Sequence, residues 1–291
     1  VTQQTLTNGK KAGLLCSIGI ALGLAIHILY SAFGLAAIIA NSTTALWAIK
    51  LLGGSYLIYL GIKGLRARAQ EATTDLQNIE AANNLGINGI HFKVRNPKGV
   101  VLYLKGNSRS IKGWGKFAVD FTRHGFDVLM VDYRGYGKST GKRTEAGIKK
   151  DLQYVYDRLK EQVDEKYITL YGRSLGSGFA TKLASNNNPR LLILDAPYYS
   201  LTKVTARYAP FMPLSLLMKY PLPTYKWLKY VQCPIHIIHG TNDNVVPIKS
   251  GEKLFNISNK TKTKFTVVEN GRHNNLVNFN TYHNFIKEIL K

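Results

Sequence analysis

Tyr171-Gly-Arg-Ser-Leu-Gly-Ser-Gly178 is the stretch on which the reading of this chain turns. A run of β-branched and aromatic residues at 167–171 precedes it and reads as a buried strand, and a helical pattern over 175–185 follows. In that setting Gly-x-Ser-x-Gly makes a sharp strand-to-helix turn. Gly172 and Gly176 leave room for the turn, which lifts the Ser174 hydroxyl above the sheet edge. The helix N-terminus then turns backbone N–H groups toward a forming oxyanion, Leu175 N–H first among them. The same residues would also suit a glycine-rich turn with a helix-capping serine, so the discrimination has to come from further along the chain.

Asp243 follows a strand-like run at 235–239, in His239-Gly-Thr-Asn-Asp-Asn-Val-Val-Pro247, and His273 follows another at 265–268, in Asn270-Gly-Arg-His-Asn274. Ser, Asp and His therefore occur in the chain order that this kind of sheet requires, each just beyond a strand. The chemistry needs all three. A serine hydroxyl is a poor nucleophile until an imidazole can take its proton, and the imidazole needs a carboxylate to fix its tautomer and balance its charge. Asp195, which ends a strand at 191–194 before Ala-Pro, is the rival acid, although a hydrogen bond to its following loop is the more ordinary role.

A second oxyanion donor is expected after the strand at 100–104, where Lys105-Gly-Asn-Ser108 offers a tight turn and Asn107 N–H is the choice. Asp132-Tyr-Arg-Gly-Tyr-Gly-Lys-Ser139 imitates a phosphate loop, but it lacks the Walker spacing and reads as structural. Arg134 and Arg173 would either shape a site for an anionic substrate or pair with carboxylates at the sheet edge.

Further strand-like runs lie near 90–94 and at 127–131, and helical patterns at 114–124, 145–160, 248–257 and 281–290 alternate with the strands. This alternation predicts an α/β fold, a doubly wound and mainly parallel sheet, over residues 87–291. Residues 200–230 break the rhythm with Pro210, Pro213, Pro221 and Pro223 among aromatics, and read either as a small cap over the C-terminal edge of the sheet or as an ordinary surface insertion.

The first seventy residues are of another kind. Residues 12–40 contain no Asp, Glu, Lys or Arg and exceed the ~20 apolar residues that span a bilayer. A second apolar stretch at 45–65 carries only Lys50, near its start, where the side chain can reach the interface. Lys10 and Lys11 precede the first stretch, and Lys63, Arg66 and Arg68 follow the second, whereas the turn at 41–44 has no basic residue. This predicts a two-helix transmembrane hairpin at 1–70 with both ends, and hence residues 87–291, facing the cytoplasm, joined by a polar helix or linker at 71–86. The chain opens with Val rather than Met, as a fragment or the product of a fusion does.

The whole chain of 291 residues carries 39 Lys and Arg against 17 Asp and Glu, a formal charge of +22 that favours anionic partners, and no acid occurs before Glu71. No zinc pattern, basic heptad helix or RNA-binding aromatic signature accompanies that charge, so a membrane surface or an anionic substrate is expected rather than nucleic acid. Cys16 and Cys233, the two cysteines, make neither a disulfide framework nor a metal-ligand spacing, which suits a reducing compartment.

Taken together, the Lys105-Gly-Asn-Ser turn, Asp132-Tyr-Arg-Gly-Tyr-Gly, Gly172-Arg-Ser-Leu-Gly176, His239-Gly-Thr-Asn-Asp243 and Gly271-Arg-His273 resemble the α/β-hydrolase superfamily, especially membrane-associated lysophospholipase-like and protein-depalmitoylating hydrolases. The resemblance implies Ser174 as nucleophile, His273 as base and acid, Asp243 as orienter, and the N–H groups of Asn107 and Leu175 as oxyanion hole. It implies no metal and no cofactor. One departure is plain: the family usually has His-Gly before the oxyanion donor, and here Lys105 precedes Gly106. Residues 5–68, through Asn8-Gly-Lys-Lys-Ala-Gly13, Gly19-Ile-Ala-Leu-Gly23 and Leu51-Leu-Gly-Gly-Ser-Tyr-Leu-Ile-Tyr-Leu-Gly61, resemble the second and third helices of LysE/RhtB-type amino-acid exporters, without the first helix or the second half. The expectation is a membrane-tethered serine hydrolase that cleaves ester, thioester or amide bonds of small-molecule or lipid acyl substrates. Its alternative is an exporter-derived membrane protein with a non-catalytic hydrolase-like domain.

Overall fold

The seven strand-like runs all become strands of one sheet, those at its centre buried on both faces. The computed structural model describes residues 86–208, 211–213 and 217–291, the backbone of Thr74–Glu80, and the isolated helical positions Leu22, Gly23, Ile26, Leu51, Ser55 and Tyr56. The chain divides into two units, Val1–Glu71 and Ala72–Lys291. The expected transmembrane hairpin falls almost wholly outside the described residues, among which no helix is long and apolar enough to cross a membrane.

The second unit is built on an eight-stranded sheet: β1 (Thr74–Glu80), β2 (Gly86–Phe92), β3 (Gly99–Leu104), β4 (Phe126–Val131), β5 (Ile168–Arg173), β6 (Leu191–Asp195), β7 (Ile235–Gly240) and β8 (Thr263–Val268). Their spatial order is β1-β2-β4-β3-β5-β6-β7-β8. β1 and β2 run antiparallel to their neighbours and the rest of the sheet is parallel, paired for example as Leu104 with Gly172 and Arg173 with Asp195.

β3 to β6 are buried along their whole length, and successive side chains go to opposite faces. Val100, Leu102 and Leu104 meet helix α2 (Glu145–Lys160) and helix α3 (Leu175–Asn186) through Leu152, Val155 and Phe179. Val101 and Tyr103 face the opposite layer, where Phe121, Phe285 and Ile286 pack. Thr144 caps α2 by accepting a hydrogen bond from Gly147 N–H at 3.1 Å, which fixes where that crossover begins.

Three local expectations need correction. The stretch at 71–86 is not only a helix or linker, since its middle forms the polar antiparallel strand β1, held by the backbone ladder to β2. β2 itself begins at Gly86 rather than near 90, because burial alternates from Ile87 on while Asn88 and two glycines hide the pattern. Residues 114–124 do not make one helix. Gly115 weakens it by about 1 kcal/mol, and the stretch forms a 3₁₀ turn (Gly115–Phe117) and a short helix α1 (Val119–Thr122).

The order of the parallel strands reverses at β3, whose neighbours are β4 and β5. A crevice opens at the C-terminal ends of strands at such a switch point. The loops after β3 and β5 both start there. Beyond β6 the chain leaves the sheet for the proline-rich segment, with helices α4 (Leu201–Ala206) and α5 (Thr224–Leu228), before α6 (Ile248–Ile257) and α7 (Asn280–Ile289) complete the outer layers.

Candidate active site

β5 ends at Arg173 and α3 begins at Leu175, so Ser174 makes the turn alone, with φ 50° and ψ −117°. That left-handed conformation costs a non-glycine residue ~1–3 kcal/mol and persists only where neighbours impose it. They do so here: Ser174 N–H donates to the Asp195 carbonyl at 2.9 Å, and the Ser174 carbonyl accepts from Ser177 N–H at 2.9 Å and Ser177 Oγ at 2.6 Å. Gly176 lies against the Leu104 and Lys105 carbonyls with no room for a Cβ, so α3 starts hard against β3.

The turns after β7 and β8 are laced together. Thr241 N–H donates to the Val268 carbonyl at 3.1 Å, Asn242 N–H to the Gly271 carbonyl at 2.8 Å, and Asn270 N–H to Thr241 Oγ1 at 2.8 Å. This brings His273 between its two neighbours, with Nε2 at 2.9 Å from Ser174 Oγ and Nδ1 at 2.7 Å from Asp243 Oδ2. The other Asp243 oxygen accepts the N–H groups of Val245 at 2.9 Å and Val246 at 2.8 Å. His239, fully buried, bonds the Val246 carbonyl at 2.8 Å and lies 3.4 Å from Asp243 Oδ2. Burial alone would raise the Asp243 pKa. Hydrogen bonds from His239 and His273, the proximity of His273 and the Val246 N–H outweigh it and hold the carboxyl well below the usual carboxylate range.

On the opposite side of Ser174 stands the turn after β3. A methyl placed on Gly106 would sit 3.5 Å from Ser174 Cβ and 3.0 Å from the Trp114 ring, so the turn packs closely against both. Asn107 is exposed, and with Ser174 and Leu175 it lines a cavity of about 390 Å³. The N–H groups of Asn107 and Leu175 have no hydrogen-bond partner among the described residues. The rest of the cavity is largely apolar, with Ile148, Phe179, Leu201, Val204 and Val246 in its wall. Its volume lies within the ~300–1,000 Å³ of small-molecule sites.

The structure thus brings together Ser174, His273, Asp243, Asn107 and Leu175, and leaves the rival acid elsewhere. Asp195 is fully buried, accepts the Tyr171 hydroxyl at 2.6 Å and pairs with Arg173 Nε at 3.5 Å; its side chain does not bind the loop that follows it. Neither arginine faces the cavity. Arg134 is tied to Asp151 on α2, with Nε to Oδ2 at 2.6 Å and a second bond from Nη2 to Oδ1. Arg173 lies beneath the rim, against Trp114 and Phe117. Asp132 accepts Ile111 N–H at 2.8 Å, so its loop is structural. Two contacts at the site fall outside the sequence expectations: His239 beside Asp243, and Arg173 against the His273 carbonyl. For His239 a signal existed, since it opens the same motif as Asp243. Among the described residues no cluster of His, Cys, Asp or Glu could hold a metal ion.

The sheet order and the loops gathered at its C-terminal edge are those of the α/β-hydrolase fold. Residues 95–230 match the family model of serine aminopeptidase, S33, and residues 1–106 match that of the LysE type translocator. The second match runs on into β2 and β3, which are strands of the sheet. An uncharacterized protein of Mycobacterium tuberculosis is 33% identical over 176 residues, 60% of this chain and 62% of its own length. The lysophosphatidylserine lipase ABHD12 of Danio rerio is 28% identical over 189 residues, 56% of this chain and 48% of its own. The chain therefore spans less than two thirds of these relatives. Among solved structures, the Pyrococcus furiosus esterase Pf2001 superposes with a TM-score of 0.62 at 21% identity, covering 75% of this chain and 90% of that one.

Proposed function

We propose that the chain is a serine hydrolase that cleaves carboxylic ester, thioester or amide bonds through an acyl-enzyme, with Ser174 as nucleophile, His273 as general base and acid, and Asp243 as orienter. The observation that carries this reading is the chain of contacts from Ser174 Oγ through His273 to Asp243, opening on an apolar cavity. Neutral His273, its Nδ1–H given to Asp243, accepts the hydroxyl proton at Nε2 as Oγ attacks a carbonyl. The same proton passes to the leaving group as the tetrahedral species collapses, and water then repeats the sequence on the acyl-enzyme. The N–H groups of Asn107 and Leu175 stabilise the oxyanion.

Acyl lipids or acylated small molecules are the favoured substrates. The largely apolar wall of the cavity supports this, as does similarity to a lysophosphatidylserine lipase. Residues 1–70 act as a two-helix membrane tether with the catalytic unit on the cytoplasmic side, a reading supported by the uncharged run at 12–40, the basic flanks and the translocator match. A fluorophosphonate probe tests the nucleophile without knowledge of the substrate. The wild-type chain is labelled and Ser174→Ala is not; equal labelling of both removes the assignment. The translocator match also supports a second reading, in which the first segment still moves amino acids. Absence of flux in vesicles loaded with amino acids and holding the full chain discards it.

A further inference from the structure

Lys105 is wholly buried at the end of β3, one residue before Gly106. Its Nζ donates to the Ser108 carbonyl at 2.8 Å, lies 3.9 Å from Asp132 Oδ1, and stands over the rings of Tyr133 and Tyr136, 5.0 and 4.6 Å from their centroids. The same Asp132 oxygen accepts Ile111 N–H, and Trp114 Nε1–H donates to Ser108 Oγ at 2.7 Å. Residues 105–111 thus form a bridge pinned at Lys105, Ser108 and Ile111, with Asn107 near its crown. The ammonium draws the Ser108 carbonyl and Asp132 together beneath that crown.

A buried ammonium is costly unless it is paired, and this one has a single carboxylate, at long range. Burial works against the charge most strongly, Asp132 supports it and Arg143 opposes it, which together bring the Lys105 pKa down to about 8. Tyr133 and Tyr136 offer ring faces, and the Tyr133 hydroxyl donates to the Lys105 carbonyl at 2.7 Å.

We propose that Lys105 is a positioning residue whose positive charge holds the Asn107 N–H in the oxyanion hole, and that its loss of a proton to solvent slackens the turn and closes the alkaline side of the enzyme's working range. This rests on Ser174 being the nucleophile. Because the Asn107 donor acts on the transition state, the effect falls on kcat rather than KM.

The test uses the full chain in detergent micelles with a chromogenic ester, followed through the alkaline range. Wild-type kcat is expected to fall through one ionisation near pH 8, by about tenfold or more, as for a displaced oxyanion donor. Lys105→Arg keeps its charge and loses that limb. Lys105→Met shows at neutral pH the low kcat that the wild type reaches at high pH, and does not titrate. In the wild type alone, the indole N–H resonance of Trp114, bonded to the same turn, moves with the same midpoint, so the test survives misfolding of either variant.

Stability supplies a readout of opposite sign. The unfolded chain holds the Lys105 proton to higher pH than the folded one, so between the two values wild-type stability rises with pH relative to Lys105→Met while its activity falls. The proposal is overturned by a wild-type kcat with no alkaline limb, by an unchanged limb in Lys105→Arg, or by a Trp114 resonance indifferent to the ionisation. Failure of the nucleophile assignment is separate and visible, since turnover would then persist in Ser174→Ala.

Discussion

Arg173, the residue before Ser174, donates from Nη2 to the backbone carbonyl of His273 at 3.2 Å. The strand that presents the hydroxyl therefore also grips the loop that presents the imidazole. Because Arg173 also balances fully buried Asp195, its removal has two consequences. Arg173→Gln is expected to lower kcat by roughly 10²-fold through misplacement of His273, and to destabilise the fold by ~3–5 kcal/mol through the unpaired carboxylate. Asp195→Asn in the same background should restore stability and leave kcat low. Recovery of both in the double variant contradicts the tether.

Asp243 carries a pH signature. Its folded pKa lies below that of an unfolded aspartate, so its stabilisation is fully present above about pH 4 and is lost as acid protonates the folded carboxyl. The stability difference between wild type and Asp243→Asn, from denaturant titrations, should be flat at neutral pH and shrink below about pH 4. Activity of Asp243→Asn should fall by a factor on the order of 10⁴ at neutral pH, with the wrong imidazole tautomer favoured. A gap that widened in acid would argue against the carboxylate contacts.

The contact of α3 with β3 admits no side chain at position 176. Gly176→Ala should push the helix from the Leu104 and Lys105 carbonyls, destabilising by ~2 kcal/mol or more and removing probe labelling even in protein that still folds. Wild-type thermal stability in this variant would show that the helix start is free to shift.

The cavity wall should set acyl length. Leu201→Trp and Val204→Trp, both on α4, narrow the space beside Ser174. Turnover of long-chain p-nitrophenyl esters is expected to drop by about tenfold or more while that of the acetate stays within about twofold, since lost pocket contacts are worth ~1–3 kcal/mol per methylene. An unchanged ratio would place the acyl chain elsewhere.

Much of this was legible in the chain. Ser174, Asp243 and His273 stand just beyond strands with strong β-branched runs, and strand ends are where a parallel sheet gathers its loops. β1 and β2 were harder, because β1 is a polar run at the sheet edge and only alternate residues of β2 are buried, with Asn88 and two glycines interrupting the pattern. The 3₁₀ turns at 111–117 were hidden because Trp114 and Phe117 look helical by spacing but pack on the Arg173 guanidinium. Partner choice was the least accessible. Nothing in spacing tells that Arg134 reaches Asp151, that Arg173 reaches Asp195, or that Lys105 folds under its own turn.

Ser174 and His273 stand 99 residues apart, and Asp243 comes from a third strand between them. Until β7 and β8 have docked against β6, the hydroxyl has no base and is an ordinary alcohol. On the proposed mechanism, reactivity at this single atom doubles as a gauge of whether the far half of the sheet has closed. A fluorophosphonate, read against total protein, would count correctly assembled molecules one by one during refolding.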